Sequence, residues 1–282
     1  MPWSMAYGSG RDGDDNRLMP IREINMEKPS QSVIDAHAHC GVIDRSWPQS
    51  FADYARQAAG TDIKGVAVFS PVMEIYDRHD YAFVDPPAWQ QRRRESNAHL
   101  LSLASEPMTI YPYFFIWNDF AVDQLTSAHC GIKWHRHHGE PVYAYDDPRC
   151  RLALDEIRRR RLPVVLEEEL ENTIRFIRDL AVGITVIIPH LGLLNGGFQL
   201  IAAAGLWNQE NVWADTALAD REEIQEYIRS YGHHRLMFGS DFPFGDPYAE
   251  LDKIRRLNLV PAVEAAVLGG NFIRLQARVH RL

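Results

Sequence analysis

The stretch VIDAHAHCG, residues 33–41, decides the fold and supplies the first candidate site residues. It begins as an apolar, β-branched run and ends in polar residues, which predicts a strand that leads into a functional loop. His37 and His39 share one face of this strand, because side chains alternate between the two faces. Two imidazoles placed in this way can hold one divalent metal ion. Alone, the HxH pattern has low specificity, since the chain contains 12 histidines.

Two later apolar runs also end in a polar residue. ITVIIPHLG, residues 184–192, reaches His190, and RLMFGSDFP, residues 235–243, reaches Asp241. Polar groups at the ends of three separate apolar strands are hard to explain as core filling, since burying an unpaired charge is costly. The sequence therefore predicts that these strand ends converge on one site.

Strands and helices alternate along the rest of the sequence. Short apolar runs are separated by amphipathic stretches, which is typical of βα units around a parallel sheet. Asp147, Asp220 and Asp246 have the character of helix N-caps, and Gly232 predicts a helix stop. Eight such units predict an α/β protein, a closed (β/α)₈ TIM barrel with its active site at the C-terminal strand ends. The predicted strands are Val33–Ala38, Lys64–Ser70, Thr109–Ile116, Gly131–His135, Leu162–Glu167, Thr185–His190, Asn211–Thr216 and Arg235–Asp241.

The composition excludes two classes of partner. The 282 residues include 30 Lys and Arg against 38 Asp and Glu, a formal net charge of −8. Binders of duplex DNA or anionic membranes need clustered positive charge, so we expect no nucleic-acid and no membrane partner. The three cysteines form no CxxC pair, which favours a reducing compartment. Without a secretory signal or an apolar run near 18 residues, the sequence predicts a cytoplasmic protein.

The first residues differ in character from the rest. Residues 1–32 mix Gly, Asp, Arg and Pro without apolar periodicity, which predicts a short, poorly ordered N-terminal extension. Residues 33–282 leave about 250 residues, the usual size of one barrel. We find no internal repeat or low-complexity linker in them, so the predicted domains are the tail, 1–32, and the barrel, 33–282.

Six motifs in a fixed order resemble the amidohydrolase superfamily. IDAHAHCG, GIKWH, IIPHLG, NVWADT, RLMFGSDFP and GNFIRL span nearly all of residues 33–275. They are similar to those of the amidohydrolase-related branch, which includes aminocarboxymuconate semialdehyde decarboxylase-like enzymes and pyrone dicarboxylate lactonases. Carried over by position, the resemblance implies that His37 and His39 ligate a metal. It also implies that Asp241 ligates the metal or transfers a proton, and that His190 lies near the substrate.

The fifth strand departs from the family pattern. Where much of the family has LPVxxH, this chain has LPVVLEEE, residues 162–169, so Glu167 stands at the histidine position. A carboxylate can replace imidazole on zinc, although it adds negative charge and weakens the Lewis acidity of the metal. Alternatively, Glu167 pairs with a basic residue and the metal is lost. We favour a divalent metal, Zn²⁺ first and Mn²⁺ second, over a metal-free barrel.

The fourth strand carries two further candidates, Lys133 and His135, which face the same way. In other branches of the superfamily a carboxylated lysine bridges two metals on this strand. The alternative, which we favour, is an ordinary ammonium that binds a substrate carboxylate or pairs with Glu167. His135 is predicted to line the pocket. His137 and His138 follow in a glycine-containing loop and are predicted to be solvated.

The leading functional hypothesis is a metal-dependent hydrolase. It would cleave a small amide, lactone or cyclic carboxylic acid with a metal-activated water. Asp241 would accept the water proton, while His190 helps to polarise the scissile carbonyl. Lys133, His135 and Arg92 are the candidates for binding a substrate carboxylate.

Two other hypotheses remain open. The same site would support non-oxidative decarboxylation of a small aromatic or unsaturated acid. Glu167 also motivates a third hypothesis, a catalytically degenerate barrel that acts as a binding or structural subunit. The resemblance further implies a homodimer, to which the apolar stretch Val260–Leu268 would contribute.

Overall fold

Eight parallel strands follow one another in sequence order around a barrel. The computed structural model describes residues 32–41, 49–75, 78, 80–103 and 108–280, so the predicted tail lies outside the described residues except for Ser32. The strand order β1-β2-β3-β4-β5-β6-β7-β8 confirms the predicted TIM barrel. The strands are β1 Val33–His39, β2 Ile63–Phe69, β3 Thr109–Ile116, β4 Gly131–His135, β5 Val164–Glu167, β6 Val186–Ile188, β7 Val212–Asp215 and β8 Leu236–Met237.

Helices lie between the strands, and several begin where the sequence predicts. Asp147 caps α4 by accepting a hydrogen bond from the Arg149 N–H, and Gly232 ends α7 with a positive φ of 77°. The described helices are α1 Phe51–Gln57, α2 Val72–Ile75, α3 Pro87–Ser102, α4 Pro148–Arg160, α5 Leu170–Arg175, α6 Phe198–Ala203, α7 Arg221–Tyr231, α8 Pro247–Arg255, α9 Pro261–Ala265 and α10 Asn271–Gln276. Within the described ranges, no helix combines the length and the apolar character that crossing a membrane requires.

The first and last strands join to close the barrel. The Ala36 N–H donates to the Phe238 carbonyl at 2.8 Å, and the Asp241 N–H donates to the His37 carbonyl at 2.7 Å. Asp35 adds a side-chain link, because its carboxylate accepts from the Ser240 N–H at 2.9 Å and from the Ser240 hydroxyl at 2.6 Å. Residues from opposite ends of the sequence are therefore held side by side.

A bulge in β1 aims its histidines into the barrel. Asp35 pairs with Val66 and Ala38 with Val68, so two residues of β1, Ala36 and His37, stand opposite one residue of β2. An extra residue shifts the alternation of side chains by one position. As a result Ala36 packs in the lower interior of the barrel, while His37 and His39 face its C-terminal mouth.

The barrel interior is packed rather than hollow. Apolar side chains from seven strands fill it below the site, and Phe272 and Leu275 of α10 pack against them, which is the arrangement expected of this fold. The strand residues of this layer are Ile34, Ala36, Ala67, Phe69, Tyr113, Val165, Ile187, Trp213 and Met237.

Two strands that lead into the site are shorter than predicted. The sixth ends at Ile188 rather than His190, and the eighth ends at Met237 rather than Asp241. His190 and Asp241 both have left-handed backbone conformations, with φ of 56° and 55°. A strand cannot continue through such a residue, so the polar ends predicted as strand belong to the turns that follow.

Candidate metal centre

Three side chains, two from β1 and one from the segment after β8, meet at the C-terminal mouth of the barrel. Asp241 Oδ1 lies 3.3 Å from His37 Nε2 and 3.5 Å from His39 Nε2. All three residues are buried. Their candidate ligand atoms lie within 4.8 Å of one another, which is close enough for one ion. The structure therefore brings together three of the predicted metal ligands.

The outer nitrogen of each imidazole already has a partner. His37 Nδ1 lies 2.9 Å from Asp215 Oδ2, and His39 Nδ1 lies 2.7 Å from the Ser70 carbonyl oxygen. In a neutral ring Nδ1 must be the donor to these acceptors, so Nε2 carries the lone pair. Burial lowers the pKa of His37 to about 4, so that ring is neutral. Lone pairs on two rings then face a carboxylate oxygen, an arrangement that fits a divalent cation.

Lys133 and Glu167 form a buried ion pair beside this group. Lys133 Nζ contacts Glu167 Oε1 and also lies 3.2 Å from His37 Nε2. Burial alone would raise the pKa of Glu167, but Lys133 and His135 hold it well below its ordinary value. An ion on His37 would displace the hydrogen bond from Lys133, which would keep Glu167 as its partner. The ligand set of His37, His39 and Asp241 therefore fits one ion without Glu167.

His190 reaches the site from a strained turn after β6. It and Leu191 both have left-handed backbone conformations, which non-glycine residues rarely adopt. The His190 N–H donates to Asp215 Oδ1 at 2.9 Å, and its ring Nδ1 lies 3.1 Å from the Ala217 carbonyl oxygen. His190 Nε2 is then directed toward Glu167, with 3.7 Å between Nε2 and Oε1.

Asp241 and His190 carry opposite charges at neutral pH. Burial opposes the charged form of each, but their mutual attraction outweighs it. The pKa of His190 is raised to about 9, chiefly by Asp241 and Glu167. The pKa of Asp241 is lowered from its ordinary value, chiefly by His190 and His37. The site thus holds an ionised carboxylate, which can accept a proton, beside an imidazolium, which can donate one.

A cavity of about 310 Å³ opens onto these groups. This volume is at the small end of the range for ligand pockets. Its walls combine four imidazoles and two carboxylates with four apolar side chains. The lining residues are His39, Val72, His135, His137, Glu167, His190, Leu194, Leu218, Asp241 and Phe244.

The three predicted carboxylate-binding residues do not come together. His135 lines the cavity, whereas Lys133 is fully buried below it and contacts Glu167. Arg92 is exposed on α3 and is not among the residues that line the cavity. A polar helical stretch does not reveal which of its arginines faces a site, so the sequence could not distinguish Arg92 from its neighbours.

Sequence reasoning missed two residues of the site. His137 is partly exposed, with 37% of its side chain accessible, and it also lines the cavity, a role that the sequence did not predict, while the adjacent His138 is exposed as predicted. Asp215 was quoted within the NVWADT motif without a role, yet it contacts both His37 and His190. Its position at the end of a predicted strand was the signal available for it.

The comparisons with known proteins agree with this geometry. A family model described as Amidohydrolase matches residues 34–275, most of the chain. The chain belongs to the amidohydrolase family. A search of curated proteins found no match.

Solved structures share the fold of this amidohydrolase at low sequence identity. A 2,6-dihydroxybenzoate decarboxylase from Rhizobium matches with a TM-score of 0.67 and 13% identity, covering 88% of this chain and 99% of that chain. A dihydroxybenzoic acid decarboxylase from Polaromonas, solved with bound manganese and an inhibitor, gives 0.64 and 12%, covering 88% and 97%. A candidate 2-pyrone-4,6-dicarboxylic acid hydrolase from Pseudomonas putida gives 0.61 and 16%, covering 88% and 98%. Decarboxylases and a candidate hydrolase thus share this fold.

Proposed function

We propose that this amidohydrolase is a metal-dependent hydrolase of a small amide, lactone or cyclic carboxylic acid. One observation carries the proposal: His37 Nε2, His39 Nε2 and Asp241 Oδ1 converge. The Nδ1 of each ring hydrogen-bonds to an acceptor outside this group. Such preset tautomers are typical of metal-binding histidines. Zn²⁺ suits two nitrogens and one oxygen with an open position, and Mn²⁺ is the second choice.

Three residues of the chain have separate roles in the proposed hydrolysis. A divalent ion at this position would lower the pKa of a coordinated water and polarise a carbonyl. Asp241 accepts the proton of the attacking water at a carboxylate oxygen. His190 lines the cavity, with its Nδ1 held by the Ala217 carbonyl, and when protonated it donates a hydrogen bond from Nε2 to the developing oxyanion. Asp215 keeps both His37 and His190 in position throughout.

The cavity restricts the substrate to a small molecule. Val72, Leu194, Leu218 and Phe244 contribute apolar lining, which suits the carbon skeleton of a ring. Of the three residues predicted to bind a substrate carboxylate, His135 alone lines this cavity among the residues described. A compact, partly apolar acid or ester therefore fits the site better than a peptide or a polymer.

Metal analysis of protein purified without chelator tests the proposal. We expect about one divalent ion per chain, retained on gel filtration and lost in His39→Ala and in Asp241→Ala. Asp252→Ala, at a partly exposed position of α8 that does not line the cavity, serves as the control and should keep the ion. If the protein holds no ion and His37→Ala leaves every detectable activity unchanged, the hydrolase proposal is wrong and the degenerate barrel is favoured.

Non-oxidative decarboxylation of a small aromatic or unsaturated acid is the second candidate. Two structural neighbours are described as decarboxylases of hydroxylated benzoic acids. The apolar lining of the cavity also favours this reaction, because it disfavours a bound carboxylate, and loss of carbon dioxide followed by protonation of the carbon removes that charge. A panel of lactones, amides and aromatic acids, assayed in parallel for hydrolysis and for carbon dioxide release, separates the two reactions. Carbon dioxide release without hydrolysis would replace the hydrolase proposal by a lyase.

A further inference from the structure

A second HxH pattern faces the same cavity from the opposite side of the barrel mouth. His135 ends β4 and His137 follows two residues later, and both line the cavity. Glu167 stands directly opposite His135 in the β4–β5 register. Two imidazoles and a carboxylate thus project from neighbouring strand ends toward a common space.

The distances within this group suit a metal ion. His135 Nε2 lies 3.0 Å from Glu167 Oε2, and His137 Nε2 lies 3.8 Å from the same oxygen. The candidate ligand atoms of the three residues lie within 4.8 Å of one another. The other carboxylate oxygen, Oε1, contacts Lys133, so the two sides of Glu167 serve different partners. The Oε2 side is the one that faces the two histidines.

Buried ion pairs hold the loop that carries His137. Arg78 pairs with Glu140 at 2.6 Å, and the same Glu140 oxygen accepts from the His137 N–H at 2.9 Å. Arg136, between the two histidines, pairs with the fully buried Glu168 at 2.6 Å. Burying charged pairs gives little net stability, so their presence around a cavity-lining loop indicates that its position matters. A loop that only contacts solvent would not need these buried ion pairs.

We propose that His135, His137 and Glu167 form a second divalent cation site, of the zinc type, that opens onto the cavity. Two histidines and one glutamate are a known zinc ligand set that leaves a coordination position for a further ligand. The inference is independent of the proposed function, because it uses a ligand set with no member in common with His37, His39 and Asp241.

The neighbouring carboxylates predict the relative strength of the site. Lys133 repels a cation at either position, since its Nζ contacts Glu167 Oε1 and lies 3.2 Å from His37 Nε2, but Asp241 and Asp215 both favour a cation between His37 and His39. We therefore expect Zn²⁺ to fill the His37 site first and the His135 site second, with at least about tenfold weaker affinity, the equivalent of about 1.4 kcal/mol.

Zinc stoichiometry tests the inference without any activity assay. Apoprotein is dialysed against excess Zn²⁺, and bound zinc is measured by elemental analysis. We expect two ions per chain in the wild type, one in His137→Ala and two in His138→Ala. His138 is the matched control, because it is adjacent and exposed and pairs with Glu169 away from the cavity. Circular dichroism of each variant checks that it is folded.

The variants Asp241→Asn and His137→Ala separate the two sites. If each variant loses a different ion, both sites exist. If only one ion binds and His137→Ala alone removes it, the second site stands and the metal of the proposed function is lost. If wild type and His137→Ala bind the same number of ions, or if a single ion is lost in both variants, the inference is wrong.

Discussion

The Asp215 carboxylate links two site histidines, one from β1 and one from the turn after β6. One oxygen accepts from His37 Nδ1 and the other from the His190 N–H, and both bonds are 2.9 Å long. The sequence could predict each histidine from its strand end, but not a carboxylate that acts through a residue far away in the chain. The orientation of the His37 and His190 rings thus depends on a residue that does not line the cavity.

Asp215→Asn should loosen the ligand set without unfolding the barrel. The amide is close to the carboxylate in size, but its nitrogen cannot accept from His37 Nδ1 or from the His190 N–H. Loss of such a supporting hydrogen bond typically costs about 10–100-fold in metal affinity. Chelator competition measures the zinc affinity, and Asp220→Asn, at the exposed start of α7, is the control. An unchanged affinity in Asp215→Asn would show that Asp215 does not position His37.

His129 provides a pH dependence at a distance from the site. Burial lowers the pKa of His129 to about 4, and its Nδ1 accepts from the Thr126 N–H at 3.0 Å. In the unfolded chain the ring titrates near about 6.5. Because the unfolded state binds the proton first, the contribution to stability is present above pH 6.5 and is lost as the pH falls toward 4.

Comparing the wild type with His129→Gln isolates this contribution. The glutamine can still accept from Thr126, so the main change is the loss of the titrating ring. Between pH 7 and pH 4.5 the wild type should lose on the order of 2 kcal/mol more free energy of unfolding than the variant. Urea unfolding at both pH values gives the numbers, with the exposed His138→Gln as control. Equal losses in all three proteins would contradict the assignment.

The strand elements follow the sequence closely except where they enter the site. β3 and β4 have the predicted bounds, Thr109–Ile116 and Gly131–His135. β6 and β8 stop early, because His190 and Asp241 adopt left-handed conformations that hydrophobic pattern does not encode. The bulge in β1 was also not predictable, since it depends on the register with β2. Element type came from local pattern, whereas the site geometry came from tertiary contacts.

Ser240→Ala should weaken the junction between β1 and the segment after β8. It removes the 2.6 Å hydrogen bond from the Ser240 hydroxyl to the buried Asp35 carboxylate. A buried acceptor that loses such a partner costs about 1–3 kcal/mol. Urea unfolding should show this loss, while Ser230→Ala at the exposed end of α7 should stay within about 0.5 kcal/mol of wild type. A Ser240→Ala protein as stable as the control would mean that the Ser240 hydroxyl does not hold this junction.

At the scale of the whole molecule, the barrel closes where its site is built. β1 and the segment after β8 share backbone hydrogen bonds and also supply His37, His39 and Asp241. The predicted division into a tail and one barrel is consistent with a family match over residues 34–275, and it remains a prediction. The homodimer also remains a prediction. Two residues of its predicted interface, Val267 and Leu268, are buried in the chain's own core.

Removing residues 1–30 tests the predicted domain boundary. The shortened chain keeps Ser32, whose carbonyl oxygen packs against Gly269, and it keeps all of β1. We expect its free energy of unfolding to stay within about 0.5 kcal/mol of the full chain and its zinc content to be unchanged. A chain that begins at Ala36 lacks the start of β1 and should fail to fold. A large loss in the first variant would place part of the domain before residue 31.

The proposed ligands come from β1 and from the segment after β8, so they leave the ribosome at different times during synthesis. His39 leaves the ribosome roughly 200 residues before Asp241, a delay of roughly 10–40 s at common translation rates. Throughout that interval the nascent chain presents a histidine pair without its carboxylate and without the strand that closes around it. At the proposed metal site, selective loading would therefore follow release of the protein, and a chain truncated before Asp241 should bind whatever metal is most abundant, loosely and reversibly.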